Sequence, residues 1–271
     1  LSANQTKAIK PETATARTLI FDIETSPNIA YVWGKYEQDA LGDLIKERQI
    51  ISIAWKWLGE KTVHCLSLPM LPTYKKNPED NRGLILKLHE LFSQADIVVG
   101  HNVDSFDCPM SNSEFLIHGL KPPPPHRSVD TLKFARHKFR FNSNKLGDLG
   151  KRLGIGAKVH TGGFDLWAGC LRGDEKAWAR MAIYNMGDVA LLEKIYMKMR
   201  PWMISHPAIT TRGEVECPQC QSKNIQSRGT RIRRAGRVPT YQCQDCGTWS
   251  MGMLVKDKNA INPKAKKWIV K

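Results

Sequence analysis

The stretch TLIFDIET, residues 18–25, sets the hardest constraint on the fold. Leu19, Ile20, Phe21 and Ile23 read as a buried strand. Asp22 and Glu24 lie in the same run, and side chains two apart on a strand share a face. Two carboxylates about 4 Å apart repel by about 4 kcal/mol at an effective dielectric of about 20. A fold that keeps both must set a cation between them or let one take a proton. The other reading is an edge strand whose acidic face is open to water.

The rest of the chain supplies partners for that strand. RQIISIAWKWLG (48–59) and KTVHCLSL (61–68) predict two more strands, joined by a hairpin turn at Gly59-Glu60. Leu84, Leu88 and Leu91 recur at helical spacing in RGLILKLHELFSQ. ADIVVGHN predicts a short buried strand ending at Gly100, and CPMSNSEFLIHGL a helix closed by Gly119. The prolines 122–125 suit neither helix nor central strand. They form a stiff connector into SVDTLKFARHKF, a strand followed by a helix. NKLGDLGKRLG predicts a short helix stopped near Gly154, and a helical pattern runs from Asp174 to about Met199. Hairpin-linked strands followed by βα units predict an α/β fold, a mixed sheet with helices on its faces.

Two further acidic positions stand where they can join the strand pair. Asp107, in VVGHNVDSFDCP, follows a buried strand, and strand ends are where sites gather in α/β sheets. Asp107 also fits a helix N-cap, and Asp104 competes with it. In AIYNMGDVALLEKIY, Tyr184 and Asp188 are four apart and share a helix face. Ile183, Leu191, Leu192 and Ile195 form the apolar stripe beside them, and pairing of Asp188 with a surface lysine is the alternative role. His101 and His160 read as local structure, and Trp55, Trp57, Trp167 and Trp178 as packing.

Taken in order, Asp22-Ile23-Glu24, Asn102 through Phe106-Asp107, and Tyr184-x-x-x-Asp188 resemble the three motifs of the DEDD (DnaQ-like) 3′–5′ exonuclease superfamily. The tyrosine places the resemblance in the tyrosine branch. It covers roughly residues 17–200 and is closest in flavour to the exonuclease domain of family B DNA polymerases. It implies an RNase H-like fold and two Mg²⁺ or Mn²⁺ ions held by Asp22, Glu24, Asp107 and Asp188. It implies hydrolysis from the 3′ end, preferably of single-stranded DNA, with Thr25, Asn102 and Phe106 touching nucleic acid. Asn102 either holds the loop that presents Asp107 or touches the terminal nucleotide. Oxygen ligands suit such hard cations, and four carboxylates can hold two of them about 3.5–4 Å apart. A phenol with a pKa of about 10 is a poor base at neutral pH, so Tyr184 is assigned to aiming the attacking water. KVHTGGFDLWAG (158–169) reads as a flexible loop bordering this site. An exoribonuclease, and a non-catalytic nucleic-acid-binding adaptor on a dead nuclease fold, are the rival readings.

Near Pro207 the composition changes. From there on the chain has 13 Lys and Arg against 4 Asp and Glu. Four of its seven cysteines form the pairs Cys217/Cys220 and Cys243/Cys246, with 22 residues between them. That spacing predicts a structural zinc site of four thiolates and resembles a zinc ribbon. A module of about 45 residues has little core, so zinc would supply much of its folding energy. Arg228, Arg231, Arg233, Arg234 and Arg237, with Tyr241 nearby, suit phosphates and stacked bases. A ribbon that docks a protein partner is the alternative. The remaining cysteines, Cys65, Cys108 and Cys170, are scattered, which points to a reducing compartment rather than a disulfide framework.

A formal net charge of +15 and a pI near 9.6 favour a polyanionic partner, nucleic acid ahead of an acidic membrane. No run of 18 apolar residues appears and the first 17 residues hold no signal-like stretch, so neither a membrane span nor a secretory leader is expected. The expected organisation is a flexible tail over 1–16, the nuclease domain over 17–206, the ribbon over 207–254 and a basic tail over 255–271. The expected setting is the cytoplasm of a bacterial cell or a phage-infected host.

Overall fold

The strand that carries the acids, β1 (Thr18–Thr25), lies in the middle of a five-stranded sheet. The computed structural model describes residues 16–34, 36, 42–158, 162–203, 206–207, 217–220, 222–233 and 236–251. Residues 1–15 of the tail expected over 1–16, and all of the tail expected over 255–271, lie outside the described residues, as do His160 and Arg234. Two compact units divide the chain between Met199 and Arg200.

In the first unit β1 pairs antiparallel with β2 (Ile50–Trp57), which pairs antiparallel with β3 (His64–Ser67). On its other side β1 runs parallel to β4 (Ile97–Gly100), and β4 parallel to β5 (Arg127–Asp130). The sheet order is β3-β2-β1-β4-β5, so the edge-strand reading of Asp22 and Glu24 is overturned. The turn after β2 stands at Gly59, with φ 91° and a Glu60 N–H bond to the Trp57 carbonyl.

Alternation along β1 sorts its side chains. Leu19, Phe21 and Ile23 join the core with Leu84, Leu88 and Phe92 of α1 (Arg82–Gln94), where Phe21 and Phe92 meet edge to face at 5.1 Å. The opposite face, with Asp22 and Glu24, looks towards α6 (Glu175–Met199), which packs on β1, β2 and β3. The buried Lys56 of β2 pairs with Glu193 at 2.6 Å, and Asn185 Nδ2 donates to Ser52 Oγ at 3.1 Å. These bonds fix the rotation of α6 over the sheet. Leu191, Leu192 and Ile195 are buried as expected; Ile183 is 56% exposed, because it lies on the solvent side of the helix.

The unit also holds α2 (Asp107–Ile117), which packs on α1, and α3 (Thr131–Lys138), α4 (Leu146–Arg152) and α5 (Asp165–Leu171), which pack on α6. The last corrects the sequence reading. Its two preceding glycines, Gly162 and Gly163 at φ 80° and 79°, end the loop, and the chain then turns helical, burying Leu166 and Cys170.

The second unit carries an antiparallel sheet of β6 (Ile225–Arg233), β7 (Gly236–Cys243) and β8 (Trp249–Met251). It starts at Arg200, ahead of the composition break. The Arg200 Nε donates to Gln219 Oε1 at 3.0 Å and the Thr248 hydroxyl to the Pro201 carbonyl at 3.4 Å. Among the described residues no helix is long and apolar enough to cross a membrane.

Candidate active site

The carboxyl half of β1 meets the middle of α6, and three acids converge there. Carboxylate oxygens of Asp22, Glu24 and Asp188 lie within 4.8 Å of one another. The cation that the strand pair demands is partly supplied by the chain itself. Lys158, in the loop after α4, sets its Nζ 2.6 Å from Asp188 Oδ2 and donates to the Tyr184 hydroxyl at 2.8 Å. The alternative role for Asp188, pairing with a lysine, is thus realised inside the cluster.

Asp107 stands one peptide away. It is the first residue of α2 and not its N-cap, which is Phe106. Its Oδ1 accepts the Ile23 backbone N–H at 3.3 Å, between the two strand acids. The loop from β4 aims it there. Asn102 takes φ 77°, its carbonyl accepts the N–H groups of Ser105 and Phe106, and its own N–H donates to Asp130 Oδ1 at 3.0 Å. Asp130 Oδ2 accepts from Asp104 N–H at 3.3 Å and Oδ1 caps α3. Gly100 is required at the bend, since a Cβ there would meet Val103 Cβ at 2.5 Å. Phe106 packs against the core. Asp104 faces Lys133 at 3.4 Å, outside the acidic trio.

Burial and mutual repulsion load the cluster with protons. Desolvation, then the charges of Asp107, Glu24 and Asp188, raise Asp22 well above the usual carboxylate range, with Lys158 opposing. Desolvation and the Asp188 charge push Glu24 up to about 8, against Lys158 and a hydrogen bond from Trp167. Burial lifts Asp107 to about 7 despite backbone N–H bonds. Asp188 is raised by burial and held back by Lys158 and Tyr184. Tyr184 is itself raised, by burial and then by Asp188, so its phenol keeps its proton.

This donor set fits a hard divalent cation. It is all oxygen, its charges repel until neutralised, and the buried Asp188 Oδ1 has no hydrogen-bond partner among the described residues. Beside it opens a cleft of about 370 Å³, lined by Thr25, Asn28, Arg48, Phe164 and Trp167 among others. Sequence reasoning missed Lys158 and Trp167. Both lie in the stretch read as a bordering loop, and the need for a cation near Asp22 was the signal for Lys158. His101 bonds the Thr131 hydroxyl and the Asn144 carbonyl at 2.9 Å each, a local structural role.

In the second unit the sulfurs of Cys217, Cys220, Cys243 and Cys246 also lie within 4.8 Å of one another. The spacings Cys217–Cys246 at 3.6 Å and Cys220–Cys243 at 3.5 Å are too long for a disulfide of about 2.05 Å. They approach the roughly 3.8 Å edge of a tetrahedron with Zn–S bonds of about 2.3 Å, so the four residues fit zinc. Arg228 Nε donates to Gln242 Oε1 at 3.1 Å and the Arg231 guanidinium lies 5.8 Å from the Trp249 ring centroid. Arg233 ends β6, and Tyr241 on β7 is half-buried.

Comparison with known proteins bears on both fold and family. A model described as the RNase_H superfamily matches residues 46–200. Two Arabidopsis thaliana proteins are similar in part. Protein NEN3 is 35% identical over 97 residues, 32% of this chain and 19% of its own length. Protein NEN2 is 33% identical over 66 residues, 24% of this chain and 14% of its own. The chain therefore spans less than a fifth of the length of these relatives. Both are plant proteins, so the bacterial or phage setting stays an expectation. The family B DNA polymerase of the archaeon Pyrobaculum calidifontis is structurally similar, with a TM-score of 0.50 and 16% identity over 69% of this chain and 25% of that one. That likeness is one of fold.

Proposed function

The chain belongs to the RNase H superfamily, and from that premise we propose that it is a metal-dependent 3′–5′ exonuclease of the tyrosine-branch DEDD type. One observation carries the reading: Asp22, Glu24 and Asp188 converge within 4.8 Å, with the Tyr184 hydroxyl tied to the same cluster through Lys158. Asp22, Glu24 and Asp188, with Asp107, would hold two Mg²⁺ or Mn²⁺ ions. Such ions neutralise the carboxylates, make water nucleophilic at neutral pH and stabilise charge on the phosphate and the leaving 3′ oxygen.

The chain's own groups do the rest. Tyr184 keeps its proton and positions the attacking water. Lys158 stays an ammonium: burial works against its charge, but the Asp188 charge and the hydrogen bonds to Asp188 and Tyr184 together outweigh it, and it fixes the Tyr184 oxygen by donating to it. The Trp167 hydrogen bond orients Glu24. The cleft at Thr25 seats the terminal nucleotide, with Phe164 and Trp167 as its aromatic walls. DNA is the preferred substrate because the three motifs resemble those of the exonuclease domain of family B DNA polymerases; the structural neighbour, itself a family B DNA polymerase, adds a likeness of fold. The zinc ribbon would grip the strand through Arg228, Arg231, Arg233 and Arg234. The test uses oligomers of DNA and RNA labelled at either end, with Mg²⁺, Mn²⁺ or a chelator. Mononucleotides released from the 3′ end only when a divalent ion is present support the reading; metal-independent or 5′-end release refutes it.

A further inference from the structure

Lys176, Arg180, Tyr184 and Asp188 are spaced four apart on α6 and so form one ridge of the helix. The C-terminal half of the ridge enters the acidic cluster. The N-terminal half does not. Lys176 and Arg180 are exposed, and with Arg172 at the end of α5 they line a cavity of about 300 Å³. Asp165 and Asp174 line it too, so three cations stand against two carboxylates, and Asp174 Oδ1 accepts the Lys176 N–H at 2.9 Å at the start of α6. Gly162, at φ 80°, lies beside the Arg180 guanidinium; a Cβ there would sit 3.8 Å from both terminal nitrogens.

We propose that this ridge and its cavity bind the phosphates of a single nucleic-acid strand next to the scissile bond. The proposal rests on the nuclease reading and names the form of substrate it takes. Four residues of helix rise about 6 Å, so Arg180 and Lys176 stand about 6 and 12 Å along the axis from Tyr184. That is a spacing an extended strand can follow phosphate by phosphate. One row of cations serves one strand, and it leads straight to the residues assigned to chemistry. Guanidinium and ammonium groups are the usual partners of phosphate oxygens.

The experiment compares the full chain with its Lys176→Ala/Arg180→Ala variant. Binding of a short oligothymidylate is measured against salt with Ca²⁺ present. Hydrolysis of thymidine 5′-monophosphate p-nitrophenyl ester, too small to reach the ridge, is measured with Mn²⁺. The variant should bind the oligonucleotide more weakly, with the log–log salt slope reduced by about 1.4, or about 0.7 for each lost contact on a single strand. Its ester hydrolysis should equal that of the wild type. Lys176→Arg/Arg180→Lys, which keeps both charges, should restore the slope. An unchanged affinity and slope overturns the proposal, as does an equal loss on the ester, which would put the two residues in the chemistry. A wild type inert towards both substrates would instead refute the nuclease reading, and the slope comparison would still judge the ridge.

Discussion

Glu24→Gln should stabilise the metal-free protein at alkaline pH and do little at acidic pH. Desolvation and the Asp188 charge lift the Glu24 carboxyl from 4.5 to about 8. With its folded pKa raised, the folded state holds a proton that the unfolded chain has given up between those two values. Stability therefore falls as pH rises through the window, and the loss is complete above about pH 8. At about 1.36 kcal/mol per pKa unit, the gross cost is about 4–5 kcal/mol above pH 8 and about 1 kcal/mol near pH 5.5. Proton sharing with Asp22 and water entering from the adjoining cleft reduce the upper figure to about 2 kcal/mol. Glutamine removes the charge and keeps an oxygen for the Trp167 bond. Melts of wild type and variant, free of Mg²⁺ and Mn²⁺ but with zinc retained, should then differ by about 4–8 °C at pH 8.5 and nearly coincide at pH 5.5. Saturating Mn²⁺ should reverse the order, because only the wild type gains the full binding energy. A variant destabilised equally at both pH values would refute the argument from crowded carboxylates.

Tyr184→Phe should slow single-turnover cleavage by about one to three orders of magnitude while leaving substrate affinity unchanged; an unaltered rate removes the hydroxyl from the mechanism. Asp107→Asn should abolish activity and Asp104→Asn should keep most of it, since Asp104 faces Lys133 outside the trio; the reverse pattern in a gel assay would exchange their roles. Cys217→Ser should cost the bound zinc, read by metal analysis, and unfold the ribbon sheet, read by Trp249 fluorescence, while hydrolysis of the small nucleotide ester persists. Loss of ester hydrolysis would mean that the ribbon shapes the catalytic site.

Much of the fold was written in local pattern. The α1 stripe and the β4 run announce themselves because each buries one face or all of a short element against the sheet. The helix α5 did not, because its seven residues follow a pair of glycines and include Asp165 and Gly169, both poor helix formers, so local preference alone favours a loop. Packing of Leu166 and Cys170 beneath it decides the outcome. The strand edges differ for the same kind of reason. Arg48-Gln49 and Lys61–Val63 have strand-like neighbours, but the ladders are set by the register of β2 with β1 and of β3 with β2, which the sequence does not state.

The site divides along a similar line. Acids at strand ends and on one helix face can be found from spacing. Lys158 cannot, because it reaches Asp188 from a loop whose path depends on where α4 ends and how Gly147 lets the lysine stem lie against the helix, within 3.0 Å of a would-be Cβ. Yet electrostatics demanded a cation there. Asp22 and Glu24 share the face turned to α6, and burial without compensation would leave them protonated and unable to hold a metal ion. One ammonium beside three carboxylates lowers the proton affinity of each, as the opposing effect on Asp22, Glu24 and Asp188 records. It leaves the set still short of positive charge. Lys158 therefore keeps the cluster partly ionised and receptive to divalent cations, without satisfying it in their place.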